Sequence, residues 1–151
     1  MKSYLERLYK YNQWANQGLL KHLKAFDSVS EEVKMRLSHV VAAEEIWYNR
    51  IQPLGFDPFK VFEIQSWEVL EPRLNASAQR WIELVDETDD FDQVIHYQNL
   101  SGKAFQTGLG DIMIHVANHG TYHRGQIATL LRQHGLEPLN TDFITYCRER
   151  F

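Results

Sequence analysis

The chain has only one cysteine in 151 residues, Cys147, so no disulfide can form within it. A lone thiol suits a reducing compartment. No stretch approaches the ~18 uninterrupted apolar residues of a membrane span, and Met1-Lys2-Ser3-Tyr4-Leu5-Glu6-Arg7 has no apolar run of the signal-peptide kind. A cytoplasmic protein without a membrane partner is therefore expected. A basic stripe is also missing: Lys plus Arg is 16 against 20 for Asp plus Glu, a net charge of −4, so a nucleic-acid partner is not expected. With 44% hydrophobic and 24% charged residues, the chain can bury a core and does not read as disordered. It shows no internal repeat, low-complexity tract or linker. One domain over residues 1–151 is the expectation.

Four prolines, with a few glycines and serines, punctuate a helical pattern. Leu5, Leu8, Trp14, Leu19, Leu20 and Leu23 fall at helix-like intervals and predict a first helix from about Ser3 to Lys24. Ser30 caps the second, Glu31 and Glu32 suit its positive end, and Pro53 with Gly55 stops it near Gln52. Residues 53–66 are long for a tight helix hairpin and read as a crossover. Ser66 starts a third helix that runs to about Glu87, with Pro72 predicting a kink or a later start. Residues 94–98 and 103–107 flank the turn Asn99-Leu100-Ser101-Gly102 and suggest one small hairpin. A fourth helix follows from Gly110 to His134, ended by Gly135 and Pro138, and a short terminal helix falls within residues 141–151. The expected fold is all-α: a four-helix bundle with long crossover connections and one small β-hairpin.

Seven histidines carry the functional signal. His115, His119 and His123 succeed one another at intervals of four on the fourth helix, about 40° apart around its axis, so they share a broad face. Adjacent members can bind one ion together. The outer two lie about 12 Å apart along the axis, too far for metal–nitrogen bonds of about 2.0–2.1 Å. The helix therefore supplies two ligands, and spacing alone leaves open whether they are 115/119 or 119/123. A third must come from elsewhere. His39 is the candidate, because Met35, Ala42, Ala43 and Ile46 share its face and turn it toward the interior. His22 and His134 lie near helix ends and His96 in the hairpin, so these three read as peripheral. Taken singly, each signal has a plainer meaning: a lone histidine on an apolar face is usually a hydrogen-bonded core residue, and a His-x-x-x-His pair often arises by chance.

The run Asn118-His119-Gly120-Thr121-Tyr122-His123-Arg124-Gly125-Gln126-Ile127 resembles the signature of the DinB/YfiT-like metalloenzyme family. Leu37-Ser38-His39-Val40-Val41-Ala42-Ala43-Glu44-Glu45-Ile46-Trp47 is similar to that family's second-helix motif. Tyr11-Asn12-Gln13-Trp14-Ala15-Asn16 resembles its first-helix motif, and Asp142-Phe143-Ile144-Thr145-Tyr146 its C-terminal segment. The likeness is strongest at 118–127 and weakest at 53–107. It implies a bundle whose metal is held by His39, His119 and His123, which settles the pair in favour of 119/123. His115 is then expected outside the ligand set.

Three imidazoles leave a coordination position open, the arrangement of catalytic rather than structural zinc. Imidazole also accepts nickel, copper or iron, so the ligands do not fix the ion; the expected cofactor is a divalent transition metal such as zinc, nickel, iron or manganese. The resemblance further implies a small-molecule substrate, with a low-molecular-weight thiol as the candidate, transferase or hydrolase chemistry, and a homodimer. The alternatives are a non-catalytic metal-binding stress-response module and a structural dimer stiffened by its metal. Glu44 and Glu45 read chiefly as ordinary helix charges or packing-edge residues, with orienting a ligand histidine or acting as a base as the alternative; Arg124 reads as the partner of a helix-surface carboxylate ahead of an anion binder, and Gly125 as a site of close helix approach. Tyr122, Trp47 and Trp14 read as core aromatics, and Cys147 lacks the neighbours that would activate it.

Overall fold

Ser30 accepts a hydrogen bond from Val33 N at 3.3 Å and starts α2 (Glu31–Ile51), so the sequence-level cap is a physical one. The computed structural model describes residues 1–149. Besides α2 it comprises α1 (Lys2–Lys24), α3 (Trp67–Glu87), the strands β1 (Val94–Gln98) and β2 (Ala104–Gly108), α4 (Leu109–Gln133) and the short α5 (Phe143–Arg148). The chain is mainly helical with one small hairpin, as the periodicities predict. No helix among the described residues is long and apolar enough to cross a membrane.

Helix ends follow local chemistry. Past α4, Gly135 adopts φ 70°, a conformation that costs other residues strain. Its N–H reaches Arg132 O at 3.0 Å, and Leu136 N–H reaches Leu131 O at 2.9 Å, closing the helix in a Schellman arrangement. α3 starts at Trp67 and runs through Pro72, so the later start does not occur. A proline just past the first turn deprives the helix of one interior hydrogen bond. The terminal helix covers only part of the expected 141–151 span, and residues 150 and 151 lie outside the described ones.

α1 packs chiefly on α3 and α2 chiefly on α4, with further α2–α3 and α1–α4 contacts. Sequence neighbours α1 and α2 therefore face each other across a diagonal. β1 pairs antiparallel with β2 in the register Val94↔Gly108 to Gln98↔Ala104, and the hairpin leans on α2 and α4.

The core is divided. One apolar cluster gathers Leu5, Tyr9, Trp81, Ile112 and Met113. The other gathers Leu19, Leu37, Leu74, Ile127 and Leu131. Between them lies a polar layer of Asn12, Asn16, Glu44, Ser77 and Arg124, each almost fully buried. Glu44 Oε1 accepts from Asn12 Nδ2 at 2.8 Å and Asn16 Nδ2 at 3.1 Å, while Glu44 Oε2 accepts from Ser77 Oγ at 2.7 Å. Arg124 Nη1 donates to the oxygens of the same two asparagines at 2.8 and 2.7 Å. Its Nη2 donates to Tyr11 Oη and Thr121 Oγ1. Two amides thus bridge a buried carboxylate to a buried guanidinium, which is how an interior can hold both charges.

That layer corrects three readings made from sequence. Glu44 and Glu45 are buried rather than surface charges: Glu45 takes the Arg73 guanidinium in a two-point pair and accepts from Phe59 N at 3.0 Å. Arg124 pairs with no surface carboxylate but with the interior amides. Close helix approach occurs at Gly120, where an added Cβ would lie 2.9 Å from Asn12 Oδ1, and not at Gly125, where an added Cβ would meet nothing within 4 Å among the described residues.

Candidate metal centre

α2 and α4 lie side by side, and this pairing brings His39 to the two α4 histidines. His119 and His123 are one turn apart, and their rings sit 4.4 Å apart between centroids. The His39 ring lies 4.5 Å from that of His123 and 5.1 Å from that of His119. One nitrogen of each residue falls in a group whose members all lie within 4.8 Å of one another.

The donor set fits a cation. His119 Nε2 and His123 Nε2 are 3.1 Å apart, close to the ~3.3 Å edge of a tetrahedron with metal–nitrogen bonds of 2.0–2.1 Å. His123 Nδ1 lies 2.8 Å from Gln126 Oε1, and the same oxygen accepts from Arg36 Nη1 at 3.0 Å. An arginine only donates, so the oxygen assignment is forced and His123 must donate from Nδ1. Its Nε2 lone pair is left facing His119. His39 Nδ1 is buried with no hydrogen-bond partner. Such an atom is costly inside a protein unless something else meets it.

The electrostatics favour neutral rings. Burial, then the neighbouring His123 and Arg36, lowers His39 from the usual value to about 4. Burial, then His123, His39 and His115, lowers His119 to about 4. His123 is lowered by burial and by Arg36, against the opposing effect of Gln126. Neutral imidazole is the metal-ligating form.

Among the described residues, no other His, Cys, Asp or Glu joins the group. His115 lies beside it, its ring 5.8 Å from His119 and 5.2 Å from Trp47. His22 reaches Glu137 O at 2.7 Å and His134 reaches Leu130 O at 2.7 Å, while His96 is exposed on β1; none approaches the triad. Tyr122 is 64% exposed, with its ring against His123, rather than in the core. Trp47 and Trp14 are half-buried against the first apolar cluster, as is Cys147.

Three participants escaped the sequence reading. Gln126 follows His123 by three residues and so stands on the same helix face, a spacing that could have drawn notice. Arg36 holds Gln126 from another helix, and no local pattern reveals it. Phe62, in the connection before α3, stacks on His39 at 4.5 Å with the rings 10° from parallel. Its φ of 65° is the left-handed region that disfavours a bulky side chain.

The chain belongs to the DinB family, whose profile matches residues 1–150. It is similar to Protein DinB of Bacillus subtilis (strain 168), at 28% identity over 163 aligned residues that cover 97% of this chain and 95% of that relative.

Proposed function

We propose that this DinB-family chain holds one divalent transition metal with His39, His119 and His123 and is a metal-dependent enzyme acting on a small molecule. The observation that carries the reading is the convergence of three histidine nitrogens within 4.8 Å, with His123 held so that its Nε2 lone pair faces inward. With three protein donors, a four-coordinate ion keeps one position for water or substrate. When bound, the metal supplies Lewis acidity, lowering the pKa of a coordinated thiol or water, or polarising a carbonyl.

The chain's own residues orient and shield that position. Gln126 and Arg36 fix the His123 tautomer. Phe62 covers one face of His39, and the packing of α4 along α2 holds the three rings together. Among the described residues, no carboxylate joins the group to act as a base. This favours reactions in which the metal itself activates the attacking group, such as transfer of a thiol to an electrophile, over reactions that need a separate base. The resemblance to thiol-dependent members of such families supports a low-molecular-weight thiol as that group. A cytoplasmic homodimer completes the reading.

The test is metal content in protein purified without a nickel resin, followed by a screen of thiols against electrophiles. One metal per chain is expected, reduced at least tenfold in His39→Ala, His119→Ala and His123→Ala and retained in His115→Ala. Full loading of His39→Ala would show that the triad is wrongly assigned. Metal loading with no turnover across the screen would leave a binding module instead.

A further inference from the structure

Arg50 ends α2 with its guanidinium over two rings, 4.3 Å from the Trp47 centroid and 5.1 Å from that of Tyr97. Arg73 and Arg124 each spend their donors on a carboxylate, amides or hydroxyls. No acceptor among the described residues takes a hydrogen bond or ion pair from Arg50. It is half-buried, and burial lowers its pKa, so the cation sits where its charge is incompletely solvated.

Arg50 also lines a cleft of about 660 Å³ together with Ile46, Asn49, Phe59, Lys60 and Leu100, a size proper to a small molecule. The hairpin supplies one wall and the α2–α3 connection the other. Two cations, Arg50 and Lys60, face it against a single carboxylate, Asp57. From Arg50, through Trp47, a line of ring contacts leads to the triad. Trp47 stands 5.2 Å from His115, and His115 stands 5.8 Å from His119. Along α2, Arg50 lies eleven residues beyond His39, ~16 Å at 1.5 Å per residue.

We propose that this cleft receives the carboxylate end of the substrate, gripped by Arg50, while the rest of the ligand runs past Trp47 and His115 to the histidine triad. A guanidinium lodged over two aromatic rings has its N–H donors unspent on the protein, and a carboxylate matches them in two-point geometry. The apolar walls suit an aliphatic stem between the two ends. The hairpin, which adds little to the bundle core, gains a role as the wall that brings Tyr97 under Arg50. The spanning ligand rests on the triad being the reacting centre; the carboxylate grip does not.

The experiment separates the two. Octanoate is titrated into the full chain without added metal, and the Arg50 Nε–H and Trp47 indole N–H signals are followed by nitrogen NMR. Saturable shifts of both are expected, with at least tenfold weaker binding read at Trp47 in Arg50→Gln, and no saturable response to octanol. No response to octanoate, an equal response to octanol, or unchanged affinity in Arg50→Gln overturns the grip. The zinc-loaded protein is then given mercaptooctanoate, whose sulfur and carboxylate can engage both ends at once. The 8-mercapto isomer is expected to bind at least tenfold more tightly than either octanoate or octanethiol, and to lose its gain over octanethiol in Arg50→Gln. Loss of that gain with the octanoate response intact overturns the span to the triad while supporting the grip at Arg50.

Discussion

Gln126 Oε1 accepts from Arg36 Nη1 at 3.0 Å and stands 2.8 Å from His123 Nδ1, so an arginine on α2 fixes the tautomer of a histidine on α4. Groups that orient a metal-binding histidine typically change metal affinity by about 10–100-fold when removed. Gln126→Leu should therefore weaken zinc binding by that order while leaving the helical circular dichroism unchanged. Gln126→Glu keeps an acceptor between Arg36 and His123 and should retain or tighten binding. Zinc titration against a chelator measures both. Equal affinity in Gln126→Leu and the parent chain would remove Gln126 from the site.

The bundle was legible because its signals are local. Period-3.6 apolar spacing, Ser30, Gly135 and the Asn99–Gly102 turn each act within a few residues of where they stand. The α4 pair was legible for the same reason. The polar layer was not, because Asn12, Glu44, Ser77 and Arg124 come from four helices and each looks like a surface residue in its own segment. Glu44 escapes that appearance only because Asn12, Asn16 and Ser77 all donate to it. The cover that Phe62 gives His39 depends on a connection with no periodicity to read.

Burial and neighbouring charge set the pH response of the metal-free protein. His39 and His119 are lowered to about 4 in the folded chain, against about 6.5 when unfolded. Between those values the unfolded state binds more protons, so stability falls as the pH drops from 6.5 toward 4 and the loss levels off below. Above 6.5 these two residues contribute no pH dependence. The same shift moves proton competition at the metal. Composition alone places the loss of affinity below about 6.5, whereas the packed site should hold zinc with little proton competition to about pH 5 and release it steeply toward 4. Denaturant midpoints and zinc affinity between pH 4 and 8 test both parts. A midpoint affinity loss at pH 6.5 would contradict the packed geometry.

The carboxylate of Glu44 and the guanidinium of Arg124 are linked through two asparagines rather than directly. Removing one charge strands the other in the interior, which typically costs about 3–5 kcal/mol. Arg124→Met and Glu44→Met should each fall in that range by denaturant unfolding. Their effects should not add: the double variant leaves no buried charge, and a coupling of ~0.5–3 kcal/mol is expected. Strict additivity would mean that the amide bridges transmit nothing.

Two glycines five residues apart on α4 should respond to alanine with opposite signs. At Gly120 an added Cβ would lie 2.9 Å from Asn12 Oδ1 and 3.0 Å from Arg124 Nη1. Those two atoms are bonded to each other, so neither can withdraw without opening the bridge to Glu44. Overpacking of this kind typically costs about 1–3 kcal/mol, and at ~2–4 °C per kcal/mol in a chain of this length, Gly120→Ala should lower Tm by several degrees. Gly125 is helical and exposed, and an added Cβ there would meet nothing within 4 Å among the described residues. Alanine there meets no steric contact within the chain and removes the backbone freedom that glycine has when unfolded, worth ~0.8–1 kcal/mol in a helix. Gly125→Ala should therefore raise Tm by a few degrees. Calorimetry on dilute protein reads both. A fall in Tm for Gly125→Ala that grows with protein concentration would instead place this face of α4 at the contact between two copies of the chain.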